Sequence, residues 1–326
     1  MKYFNKIKIN INSITYRVLS WVSGILIVGF LLSQVDLAIL KKAAIEANII
    51  SFLLYLSIFI LFWLLFESQN LYVLIKYFGY KAKYIDILAI RASTYLLMML
   101  NYGLGTGGIL LELNRKSGIS LKHSSAVVLL YVNADNISLA LLTFIPGLLF
   151  LEIMPTKIMI PLLAVAASFI MMTICLIIFI KLYAVYMRHN NGTRSFFATI
   201  VFELSNFKFR RYFIIVALRT LYFVSFSLFM YVAIPCFGFH VPFTALLALV
   251  PPIFFVGIIP ITPAGIGTTQ AAMLALFSPY GDQSKILLFS LTYTCSLILF
   301  RLLVALIAIA LQYSKDNVKS IENIKM

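Results

Sequence analysis

Apolar residues along this chain fall into long blocks separated by short, basic, polar connections. Six blocks have the length of a membrane-spanning helix, which needs about 20 mostly apolar residues: Val18–Leu32, Ile49–Phe66, Ser124–Leu149, Ile158–Ile180, Tyr212–Ile234 and Ile286–Gln312. Two further apolar regions are interrupted. Ile85–Leu113 is broken by the run Asn101-Tyr-Gly-Leu-Gly-Thr-Gly-Gly108, and Phe243–Phe277 by Pro251-Pro252 and by Pro260-Ile-Thr-Pro-Ala-Gly-Ile-Gly267. Each predicts either two full helices or a re-entrant pair of half-helices. Ordinary packed helices kinked at Pro and Gly are the plainer alternative. The stretch Ser33–Asn48 is weakly amphipathic, suited either to the outer surface or to packing against the bundle.

The distribution of Lys and Arg separates these topologies, because one extra crossing in the first broken region inverts every loop after it. With both regions re-entrant and the N-terminus cytoplasmic, 19 basic residues lie inside and four outside: Lys41, Lys42, Lys157 and Lys285. A single crossing of the first region gives nine inside and 14 outside. The pattern therefore predicts an all-α integral membrane protein with about six transmembrane helices and two oppositely oriented re-entrant helical hairpins. Such an inverted-repeat-like arrangement places substrate sites where discontinuous helices meet near the midplane. The whole chain, 1–326, reads as one transmembrane domain, with cytoplasmic tails at 1–16 and 314–326.

Composition agrees: of 326 residues 62% are hydrophobic and 11% charged, with mean hydropathy +1.01. Soluble domains run about 45–50% apolar and about 25% charged, so a soluble enzyme is excluded. The formal charge of +15 belongs to the loops between spans rather than to a nucleic-acid surface. Cys175, Cys236 and Cys295 show no CxxC spacing, and His123, His189 and His240 are scattered. No metal site, cofactor or catalytic constellation is expected from them. Val18–Leu32 has a basic flank but no small-x-small cleavage site before Ser33, and reads as a retained first helix.

Arg91, Asp135, Arg219 and Arg301 stand inside apolar stretches, where a charge costs about 2.5–3.5 kcal/mol on insertion scales. At 1.5 Å per residue all four map between the cytoplasmic third and the midplane. Equal depth predicts an Asp135–Arg301 pair with Asn133 and Asn136 nearby, leaving Arg91 and Arg219 to attract an anionic headgroup. Snorkelling of the arginines to the interface is the alternative. The Gly103–Gly108 run lacks the Gly-Lys-Ser/Thr of a phosphate loop and fits close helix packing or a helix break.

The segment Gly257-Ile-Ile-Pro260-Ile-Thr-Pro263-Ala-Gly265-Ile-Gly267-Thr-Thr-Gln270 resembles the Pro-x-x-Pro-Gly-Gly-x-Gly-x-x-Glu signature of the lysylphosphatidylglycerol synthase transmembrane region family of flippase-like membrane proteins. Gly105–Gly108 followed by Leu113-Asn-Arg115-Lys-Ser-Gly118-Ile-Ser120 is similar to that family's Gly-Glu-x-x-Arg…Leu-x-Arg-x-x-Gly-x-Ser stretch. The chain departs from the pattern at Gln270 and Ala264, and at Thr106 and Ile109, which stand where the first motif has Glu and Arg. The resemblance implies a membrane domain that binds or moves anionic or polyprenyl-phosphate-linked lipids across the cytoplasmic membrane of a bacterium, without the soluble lysyl-transferring domain of some relatives.

Together these readings nominate Arg91, Asn101, Gly105, Gly107, Asp135, Arg219, Pro260, Pro263, Gly265, Gly267, Gln270 and Arg301 as substrate-binding residues. Arg301→Ala is expected to abolish function and leave insertion intact. Competing readings are an integral-membrane glycosyltransferase acting on polyprenyl phosphate, against which no Asp-x-Asp appears, and an accessory subunit working with envelope-biosynthesis proteins.

Overall fold

Backbone groups in lipid find no water, so apolar blocks of this length close their hydrogen bonds within helices. The computed structural model describes residues 26–33, 37–100, 102–150, 156–189, 195–258, 262 and 265–325, and every regular element among them is helical. In chain order these are α1 (26–33), α2 (Leu37–Glu46), α3 (Ile49–Tyr77), α4 (Tyr84–Leu100), α5 (Tyr102–Ser117), α6 (Leu121–Leu149), α7 (Thr156–His189), α8 (Phe196–Asn206), α9 (Phe209–Ala233), α10 (Phe243–Ile258), α11 (Thr268–Phe277) and α12 (Gln283–Lys325). A 3₁₀ turn, Ile234–Phe237, extends α9.

Among the described residues α3, α6, α7, α9 and α12 are long and apolar enough to cross a membrane. They account for five of the six expected spans. Most of the sixth, Val18–Leu32, lies outside the described residues, although 26–33 are helical. Asn48 opens α3 by accepting a hydrogen bond from the Ser51 amide at 3.1 Å. That helix runs on past the expected end at Phe66 to Tyr77, which brings Glu67, Ser68 and Asn70 inside the bundle. In α2, which packs on α12, Ala43 is buried, while Lys42 and Glu46 pair on the outside.

Both interrupted regions fold back on themselves. A Cβ on Gly105 would lie 2.0 Å from Met98 Cγ, and one on Gly108 2.5 Å from Leu97 Cδ1 and 3.3 Å from Thr94 Cγ2. Contacts that step forward along α5 thus step backward along α4, the mark of an antiparallel hairpin. The glycine run is therefore helix interior that allows close packing, with α4 ending at Leu100 and α5 starting at Tyr102. In the second region α10 continues through Pro251-Pro252, which the bundle tolerates as transmembrane helices do. The reversal comes later, between Ile258 and Thr268, where Gly265 (φ +70°) and Gly267 (φ +91°) adopt left-handed backbone. A Cβ on Gly265 would meet Thr269 Oγ1 at 2.7 Å and Gly257 Cα at 3.2 Å, so this position requires glycine twice over.

The hairpins enter from opposite ends of the bundle. Lys116 Nζ donates to Gln312 Oε1 at 2.5 Å and Gln312 Nε2 to the Ala89 carbonyl at 3.0 Å, so the open end of α4–α5 sits beside the far part of α12. The Asn48 amide donates to the Cys236 carbonyl at 2.8 Å and Lys285 Nζ to the Gly238 carbonyl at 3.1 Å. These bonds gather the ends of α3, α9 and α12 at the other face, where Gly281 closes against Phe239 beside the open end of α10–α11.

Two large apolar cores result, with a small third cluster of Leu64, Ala92, Tyr95 and Ala305. One joins Phe52, Phe229, Phe237 and Phe289 with Trp63 stacked on Phe226 at 3.9 Å; the other joins Leu71, Leu74, Ile87, Ile90, Ile109 and Ile215. The outside is also apolar: Leu54, Ile58, Met171 and Leu299 are all about 60% exposed. A greasy exterior around a charged middle layer is the inverse of a soluble protein and marks an integral membrane protein.

Candidate functional site

The charged layer lies between the two cores. On α3, Glu67 falls between Trp63 and Leu71; on α9, Arg219 falls between Val216 and Tyr222; on α6, Asp135 falls between Ala134 and Leu139. An isolated charge there would be prohibitively costly, so each must find a partner.

Arg91 of α4 meets Glu67, Nη2 to Oε2 at 2.6 Å. Glu67 also accepts from Tyr95 Oη at 2.9 Å and Tyr222 Oη at 2.7 Å, so hydroxyls from α4 and α9 close around one carboxylate. Arg219 donates from Nε to Asp135 and from Nη1 to Tyr131 Oη at 3.0 Å. Tyr102, at the start of α5, donates to Asp135 Oδ2 at 3.0 Å. The Tyr131 ring lies between the two pairs, 5.6 Å from Arg91 Cζ and 4.7 Å from Arg219 Cζ, and links them by cation–π contacts. The predicted Asp135–Arg301 pair does not form, and neither Arg91 nor Arg219 is free. Depth alone cannot choose among three arginines; the choice follows from α9 packing against α6 while Glu67 of α3 neutralises Arg91.

Arg301 is thereby left over. It is half-buried, its Cζ lies 5.3 Å from the Tyr95 ring, and among the described residues it has no carboxylate partner. Arg91 is fully buried, with Nε and Nη1 lacking hydrogen-bond partners.

These groups line one cavity of about 190 Å³ between the hairpin tips. Met98, Met99 and Tyr102 reach it from the first hairpin, Gly257, Thr262 and Thr269 from the second, and Tyr293, Thr294 and Arg301 from α12. Three arginines face two carboxylates, so the lining carries an excess of one positive charge in a low-dielectric surrounding. Apolar side chains, among them Phe223, Phe254 and Met273, form the rest of the wall.

The structure thus brings Arg91, Asp135, Arg219 and Arg301 to one place. Gly105, Gly265 and Gly267 shape the hairpins that surround it without lining it. A Cβ on Gly107 would meet nothing within 4 Å. Asn101, Pro260 and Pro263 lie outside the described residues. Gln270 stands beside the cavity, fully buried: Oε1 accepts from the Gly267 amide at 2.5 Å, and Nε2 donates to Thr294 Oγ1 at 2.9 Å and the Ser290 carbonyl at 3.4 Å. It caps α11 and pins it to α12. Asn133 faces away, bonding Thr173 and Tyr212. Thr106 bonds within its own helix and Ile109 is buried in an apolar core, so neither replaces a charge at the cavity. Sequence reasoning missed Glu67. Its signal was the apolar run Leu71–Ile75 beyond it, which carries the helix past Phe66.

Fold and cavity define a polytopic helical membrane protein with a charged site between two hairpins. The profile of the lysylphosphatidylglycerol synthase TM region family matches residues 17–309, and the chain belongs to that family. A comparison with curated proteins finds no match.

Proposed function

We propose that the cavity receives the anionic headgroup of a membrane lipid, a phospholipid or a polyprenyl-phosphate-linked intermediate, and that the protein carries it across the bilayer. The observation that carries this reading is Arg301: it is the one cavity arginine without a carboxylate partner among the described residues, set where hairpins from opposite faces meet. Two hairpins that stop at mid-depth act as re-entrant gates, each covering the cavity from one face. An anion there gains a cation in a water-poor site without displacing either buried ion pair.

Lys76, Lys81, Lys83, Arg115, Lys116, Lys122, Lys208, Arg210 and Arg211 gather at one end of the bundle and Lys41, Lys42 and Lys285 at the other. On the positive-inside rule the first end is cytoplasmic, in a bacterial inner membrane, with both termini on that side.

The test is reconstitution in liposomes with a fluorescent lipid and an impermeant quencher. Movement of phosphatidylglycerol faster than phosphatidylcholine is expected. Equal movement of both, or sugar transfer from a nucleotide donor without lipid movement, would sink the proposal.

A further inference from the structure

A second space lies on the outward side of α6, away from the charged cavity. It is a groove of about 200 Å³ walled by α6, α7, α8 and the start of α9. Its lining is almost wholly apolar, with Leu130, Ile177, Phe197, Leu204 and Phe207 among the wall residues. The cavity residues Tyr131 and Asp135 point the other way from the same helix, so α6 is the partition between the two spaces.

One wall is built as an interfacial element. Ser195 opens α8 by accepting from the Ala198 amide at 3.2 Å; the helix buries Ala198, Ile200 and Val201 and leaves Phe196, Phe197 and Phe202 exposed. It is clipped at both sides: Glu203 sits 3.4 Å from His123 of α6, and Lys181 of α7 donates to the Ser205 carbonyl at 3.2 Å. A short helix fastened this way over an apolar slot makes a standing groove rather than a transient gap. Lys181 lines its edge, and the exposed Lys208 and Arg210 flank the wall residues Phe207 and Phe209 along the chain; among the described residues none of the three has a carboxylate partner. A charged rim above an apolar slot matches one chemistry, an acyl chain below an anionic headgroup.

We propose that this groove is a binding site for an anionic phospholipid of the adjoining leaflet, separate from the charged cavity. One acyl chain enters beneath α8 while the phosphate lies against Lys181, Lys208 and Arg210. The space holds part of one chain, so the lipid docks from the bilayer and is held rather than transported.

Native mass spectrometry of the purified full chain, titrated with phosphatidylglycerol or phosphatidylcholine, tests this. Phosphatidylglycerol is expected to bind, Leu204→Trp to weaken that binding at least tenfold by filling the slot, and Lys208→Glu with Arg210→Glu to abolish the preference over phosphatidylcholine. In the Arg301→Gln background, which removes the headgroup cation of the charged cavity, the groove's binding and the effects of these substitutions should persist, which separates the groove from the transport site. In the unmodified protein, a phospholipid with a diazirine on its acyl chain should label the 197–212 segment. Undiminished phosphatidylglycerol binding when Leu204→Trp is combined with Arg301→Gln, no phosphatidylglycerol binding at all in Arg301→Gln alone, or labelling confined to the outward face of α7 would each overturn the proposal.

Discussion

The two hairpins share a shape and differ in chemistry. The first, α4–α5, brings Arg91, Tyr95 and Tyr102 into the charged layer and closes on itself through Gly105 and Gly108. The second, from Phe243 to Phe277, contains no charged residue, turns on left-handed glycines and is fastened to α12 by the neutral Gln270. The first is thus locked by ion pairs and hydroxyls that break at high cost. The second is held by apolar packing of α10 and α11 in the first core and by a few neutral hydrogen bonds, so the two hairpins resemble each other in outline but not in what attaches them.

Substitutions separate the two modes of attachment. The largest effect is expected from Glu67→Ala, which strands Arg91 as an uncompensated buried charge; removing one partner of a buried pair costs about 3–5 kcal/mol. A fall in melting temperature, or failure to accumulate in the membrane, should be partly restored by adding Arg91→Met. Gln270→Glu follows: the carboxylate loses the amide donors to Ser290 and Thr294, and an unsatisfied buried acceptor costs about 1–3 kcal/mol. Cysteine accessibility at the second hairpin should rise while the first is unchanged. Smaller still is the contrast within α5. Gly105→Ala meets Met98 and should destabilise by about 1–3 kcal/mol, whereas Gly107→Ala meets nothing and should be neutral or stabilise by about 0.5–1 kcal/mol. Equal melting temperatures for those two variants would refute the close packing of α4 on α5.

Much of this was legible in the sequence, because hydropathy and basic-loop asymmetry act over whole segments. Five of the expected spans and the two interrupted regions follow from them. The arginines and Asp135 that line the cavity were visible as charges in apolar blocks. The pairing was not, since it depends on which helices pack together: Asp135 reaches Arg219 because α6 lies on α9, and Glu67 enters the site only because α3 extends to Tyr77. The role of Pro251-Pro252 was misread for a related reason. Pro signals a break by its local cost, but tertiary packing carried α10 through both prolines and left the turn to residues that can adopt left-handed backbone.

The central claim is that Arg301, left unpaired by the arrangement of the other four charges, holds the headgroup. Its most direct test is the rate of phosphatidylglycerol movement in liposomes for wild type, Arg301→Lys and Arg301→Gln at matched thermal stability. At least a tenfold loss is predicted for Arg301→Gln, with partial retention for Arg301→Lys. An Arg301→Gln variant that inserts normally and moves lipid at the wild-type rate would contradict the account.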